Sequence, residues 1–145
     1  MHKGRDTSQR TSSIWKRIGV QPRGAALHST IAEGFSYEVF VEAIEMTGLK
    51  QYEFVACLGI SPATLNRRAK LGKFTSSESD NIYRFISVYV AIVELFEGDL
   101  QYALNWMKAE CKGLGNNKPL ALLSTSAGCK AVTEMVGRLE FGVFA

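Results

Sequence analysis

Apolar residues recur along most of the chain at three- and four-residue intervals, the spacing of one helical face, and nowhere alternate long enough to make a strand. From Ser36 onward, Val39, Phe40, Ala43, Ile44 and Met46 predict a first core helix that Gly48 stops. Two shorter helices are expected between Leu49 and Phe74, the first with Phe54, Val55 and Leu58 on its apolar side. Gly59 suits the left-handed position after a helix, and Ile60 can fill the corner. Ser61 can then cap free amides, and Pro62 loses no hydrogen bond at the first helical position. In the second helix Leu65 turns inward, Ala63, Asn66, Arg67 and Lys70 face out, and Gly72 ends the run. Thr75 with Glu78 makes a capping box for a longer helix carrying Ile82, Phe85, Ile86, Tyr89, Ile92, Val93 and Phe96, closed by Gly98. Between Phe85 and Val93 this helix is apolar nearly all round, so it is either the centre of a bundle or a surface for pairing. Asp99 caps a helix with Leu100, Ala103, Leu104, Trp106 and Met107. A polar turn follows at Lys112 to Pro119, then a short turn at Leu120 to Leu123. A last helix capped at Thr125 carries Val132, Met135, Val136 and Leu139 toward Gly142. The predicted class is all-α, with a helix-turn-helix region at 36–74 and a second helical region at 75–145.

The first 35 residues look different. Ser, Thr, Gly, Arg and Lys dominate, with Ile14, Trp15, Ile18 and Val20 the main large apolar groups, and we expect a basic flexible arm. Charge sharpens this picture. The 145-residue chain has 17 Lys and Arg against 14 Asp and Glu, and Lys3, Arg5, Arg10, Lys16, Arg17 and Arg23 face Asp6 alone near the start, so the rest is slightly acidic. Within that rest, Arg67, Arg68, Lys70 and Lys73 cluster without an acid among them.

Catalysis has little material here. No GxSxG, P-loop or HExxH is present, and His2 and His28 both fall in the arm. Cys57, Cys111 and Cys129 show no CxxC spacing, so reduced thiols are expected, with no metal site, no disulfide framework and no cofactor. The longest apolar stretch ends at Glu94, too short for a membrane span, and no secretory signal is visible, which places the expected location in the cytoplasm.

A helix-turn-helix puts its second helix in the major groove, with flanking cations on phosphates. Arg67 has the reach and fork for a guanine edge, Asn66 suits adenine or a phosphate, and Ala63 a thymine methyl. Gln51, Ser61, Lys70 and Lys73 are placed for the backbone, and Arg68 completes the basic set. The alternative is that Arg67 and Arg68 solvate an exposed face or pair with Glu78 and Asp80. Arg68 stands where many such units have an apolar core residue.

The segment from Pro119 to Ala145 resembles the toxin-binding C-terminus of the Xre/MbcA/ParS antitoxins. The likeness lies in Pro119-Leu120, Leu122-Leu123, Thr125, Ala127-Gly128, Val132, Gly137-Arg138, and the ending Glu140, Gly142, Val143, Phe144, Ala145. LGISPATLNRR upstream, with its paired arginines, and SSESDNIYRF are similar too, so the resemblance spans about 36–145 without the arm. It implies a non-enzymatic antitoxin that obstructs a RES-domain toxin and represses its own operon, a toxin that degrades nicotinamide adenine dinucleotide or modifies a target with it. Toxin contacts would come from Arg138, Glu140, Phe141, Gly142, Val143, Phe144 and Ala145. Ser126 and Cys129 depart from the usual pattern. The chain's own chemistry is compatible: an apolar Val-Phe ending with a free carboxylate suits a partner pocket, or folds back onto the core. A homodimer within a larger complex is expected, since such readers bind two half-sites. Alternatives are a stand-alone helix-turn-helix repressor and a helical adaptor that keeps the motif as scaffold.

Overall fold

The computed structural model describes residues 13–142. Helices follow one another in the order α1 (13–18), α2 (Ala25–Glu33), α3 (Tyr37–Thr47), α4 (Gln51–Leu58), α5 (Pro62–Leu71), α6 (Ser76–Leu95) and α7 (Leu100–Lys108). A 3-10 turn (Lys112–Leu114), α8 (Pro119–Leu122) and α9 (Ser126–Glu140) complete the chain. The class is all-α. Among the described residues the extended backbone amounts to isolated bridges, Ser36 with Lys73 and Cys111 with Asn117.

Local chemistry accounts for the boundaries. Side chains of Ser61, Thr75, Asp99 and Thr125 accept from the amides of Thr64, Glu78, Tyr102 and Gly128, so four helices begin where a side-chain oxygen meets an otherwise unpaired amide. Glu78 returns the favour by accepting from the Thr75 amide at 2.9 Å. α6 ends at Leu95, slightly ahead of Gly98.

α6 is the centre of the molecule. Ile82, Phe85, Ile86, Tyr89, Ile92 and Val93 are all but inaccessible, and no residue from 81 to 96 is exposed. α2, α4, α7 and α9 pack around it. Its apolar girth therefore serves the internal core and is not a surface for pairing. Phe54 of α4 meets Phe85 of α6 with ring centroids 4.4 Å apart, and Phe40 of α3 joins the same cluster edge-on.

The expectation of a flexible arm over 1–35 is corrected from residue 13 onward. Ile14, Trp15, Ile18, Val20 and Leu27 are buried in the one core, so this part of the chain has enough apolar surface to repay its ordering. Trp15 lies against Tyr83 of α6, and the Tyr83 hydroxyl donates to the Pro22 carbonyl at 3.2 Å. Arg17 pairs with Glu42 at 3.2 Å and lies 3.9 Å from Glu45, which turns one of the arm's cations toward α3. Residues 1–12, with Lys3, Arg5 and Arg10, lie outside the described part.

One junction ties the loop before α3 to the loop after α5. The Phe74 amide donates to the Phe35 carbonyl and the Tyr37 amide to the Gly72 carbonyl, each at 2.9 Å, and the buried Ser79 hydroxyl accepts from the Phe35 amide. Gly34 sits there at φ 97, and a Cβ on it would strike the Phe74 carbonyl oxygen. The chain has a glycine where backbone meets backbone.

Candidate functional site

α4 and α5 are joined by Gly59, Ile60 and Ser61, with Gly59 left-handed at φ 67 and Ile60 buried in the corner. α5 buries Leu65 alone, so nearly its whole length faces solvent. Ala63, Asn66, Arg67 and Lys70 are exposed along it, Lys73 follows exposed after the Gly72 turn, and Gln51 is exposed at the first position of α4. The three- and four-residue spacing of Ala63, Asn66, Arg67 and Lys70 puts these four on one face of α5, and the hydroxyl of Ser61, which caps that helix, is already engaged with Thr64. Arg67 also donates to the Thr64 hydroxyl, at 3.1 Å, which steadies its guanidinium over the first turn of α5. Tyr52 of α4 and Leu71 of α5 are large and exposed.

Arg68 is different and leaves that group. Its Nε donates to Glu78 Oε1 at 2.7 Å and its second nitrogen to Oε2 at 3.0 Å, a two-pronged charge-assisted pair. The two side chains are only 19% and 15% exposed. The Glu78 carboxyl is held below its ordinary range, chiefly by Arg68 and then by the Thr75 amide. One turn of helix is about 3.6 residues, so adjacent arginines leave the helix about 100° apart, and Arg68 is turned toward Glu78 while Arg67 is exposed. The pairing lies across a turn, ten residues apart, and its sequence signal is the polar residue at a position where an apolar one is usual.

At the other end of the chain, α9 lies along α6 with Val132, Met135 and Val136 buried. The helix starts hard against α8: a Cβ on Gly128 would overlap the Leu122 carbonyl. The Cys129 and Cys57 thiols donate at 3.5 Å to the carbonyls of Leu123, just after α8, and Leu120, within it, and burial pushes the Cys57 thiol up to about 12. The exit of α9 is open. Glu140 is exposed, Phe141 is 83% exposed, and Gly142 is left-handed at φ 71. Arg138 is half-buried, with a guanidinium nitrogen 3.3 Å from the Met135 sulfur and a buried Nε that has no hydrogen-bond partner among the described residues. Glu134, Gly137, Arg138 and Phe141 line a hollow of about 380 Å³ there. Val143, Phe144 and Ala145 lie outside the described residues.

Residues 92–142 match the family model of the antitoxin Xre/MbcA/ParS C-terminal toxin-binding domain. A curated relative, antitoxin Xre of Yersinia enterocolitica, is 38% identical over 138 residues, covering 94% of this chain and 93% of its own. The chain belongs to the Xre/MbcA/ParS family of antitoxins. A second antitoxin Xre, from Photorhabdus laumondii, is 30% identical over 135 residues, covering 92% of this chain and 91% of its own. Both matches reach well into the first 35 residues, so the likeness is not confined to 36–145. The antitoxin's toxin-binding domain thus comprises the end of α6, α7, the 3-10 turn, α8 and α9. Among the described residues no helix is long and apolar enough to cross a membrane.

Proposed function

We propose that this antitoxin neutralises a RES-domain toxin through the exit of α9 and represses its own operon through α5, acting as a homodimer in the cytoplasm. The observation that carries the first half is the large apolar residue Phe141, left in solvent beside an Arg138 nitrogen that has no hydrogen-bond partner among the described residues, at the end of the toxin-binding domain. Both features are costly in a free protein and are relieved by a partner that covers the ring and accepts from the guanidinium. The residues Arg138, Glu140, Phe141, Gly142, Val143, Phe144 and Ala145 form the proposed contact. The partner carries whatever reaction is performed on nicotinamide adenine dinucleotide. For the second half, the support is the exposed face of α5 with Asn66, Arg67 and Lys70 on it and the exposed Lys73 just after the helix.

Co-expression with the neighbouring open reading frame is the direct test. The full chain is expected to co-purify with a RES-type product and protect cells from it, whereas a chain ending at Gly142 should keep its melting temperature and lose protection. Protection by the shortened chain would place the toxin contact elsewhere. A full chain that binds its promoter yet recovers no toxin would leave a stand-alone repressor.

A further inference from the structure

We propose that Arg68 is a positioning residue for DNA recognition: it clamps α5 to the start of α6 through Glu78, setting the angle of the recognition helix without touching DNA. The proposal rests on the DNA-binding role assigned to α5 above. Its ground is how little else holds that helix. α5 has ten residues, and Leu65 is the one buried among them. Arg68 comes three residues later, on the neighbouring turn of the same side, where a second apolar contact would ordinarily complete the packing. It is instead a cation gripping a carboxylate with both prongs, at 2.7 and 3.0 Å.

The carboxylate is a firm anchor. Glu78 Oε1 also accepts from the Thr75 amide at 2.9 Å, and the Glu78 amide donates to the Thr75 hydroxyl at 3.1 Å. Its backbone belongs to the most deeply buried helix of the molecule, and the neighbouring Ser79 is inaccessible. A fork on a planar carboxylate fixes orientation as well as distance, which a lysine point charge does not. The pair is also better shielded than Arg17 with Glu42, whose side chains are 46% and 37% exposed, so it is less weakened by water and salt. With Arg68 so engaged, Arg67 and Asn66 remain free to face outward.

Electrostatics alone and positioning make opposite forecasts for one substitution. Glu78→Gln keeps an oxygen for the Thr75 amide and removes a negative charge close to the basic helix. Simple charge counting says DNA binding tightens; loss of the clamp says it weakens. We expect the full-length Glu78→Gln and Arg68→Met variants to bind a fragment of the antitoxin's own promoter on the order of tenfold more weakly, the effect of losing one charge-assisted pair. The slope of log affinity against log salt should stay that of the unaltered protein, because no phosphate contact is lost. Lys70→Ala, which removes a cation assigned to the phosphate backbone, is the reference, expected to weaken binding and flatten the slope by about one. Arg68→Lys, which keeps the charge and loses the fork, should resemble Arg68→Met. A Glu78→Gln protein binding as tightly as the unaltered one or tighter overturns the clamp, and so does a slope flattened by about one in Arg68→Met. Amide exchange provides an arm without DNA: residues 64–71 should exchange faster in Glu78→Gln while α9 and toxin neutralisation are unchanged, and unaltered exchange in α5 overturns the proposal. If the unaltered protein does not retain the promoter fragment, the DNA-binding role fails, and the exchange result still decides the clamp.

Discussion

Glu78 serves two masters with one carboxylate, capping α6 through the Thr75 amide and holding Arg68 of α5. Because its ionisation is easier in the folded protein than in the open chain, its contribution is fully present above about pH 4.3, the ordinary carboxylate value, and is lost as pH falls through its lower folded value. The stability gap between the unaltered protein and Glu78→Gln, from urea melts, should therefore be open at pH 7 and close as the pH is brought below about 4. A gap that persists in acid would mean the charge is not what stabilises. Gly128 makes a steric counterpart. Gly128→Ala pushes a methyl group into the Leu122 carbonyl, and overpacking of this kind costs about 1–3 kcal/mol, visible as a lower urea midpoint with an unchanged m-value. An unmoved midpoint would show that the α8–α9 junction gives way. Arg68 and Gly128 were unequally legible from the sequence. Gly128 stands out within the family's Ala-Gly pair, whereas Glu78 was one of two acids offered as a partner for Arg68, and the choice between them depends on how the chain turns back between α5 and α6.

At the scale of elements, helix starts are legible in the sequence where a side chain bonds to its own helix. Ser61, Thr75, Asp99 and Thr125 are such cases, since their partners lie three residues away in the chain. Residues 13–35 depart from the expected flexible arm for the opposite reason. Ile14, Trp15 and Ile18 do have helical spacing, but the stretch is short and crowded by polar residues, and only the waiting surface of α6 makes it worth ordering. Trp15→Ala tests how much that docking contributes. Removing a buried tryptophan costs about 3–5 kcal/mol, whereas a dangling arm would give no change in the denaturation midpoint. That α9 belongs to a toxin-binding domain was legible because its residues carry a family signature. The geometry of Arg138 was not, since a buried nitrogen without a partner is a property of packing.

For the whole molecule, α6 unites the parts. Its first turn receives Arg68 of α5, its middle packs against Phe54 of α4, and α9 of the toxin-binding domain runs along it. A further ion pair at 3.1 Å joins Glu53 of α4 to Lys108 of α7, and Asn81 of α6 donates to the Leu58 carbonyl of α4. The basic side of α5 and the open exit of α9 thus belong to one core with no linker between them. The Phe54–Phe85 contact has a consequence for anyone recombining such antitoxins. A chimera taking residues 36–74 from one relative and 75–145 from another divides that ring pair between two parents. It inherits two halves of a hydrophobic core that were never fitted to each other, so exchange of specificity has to proceed by grafting surface residues onto an intact chain.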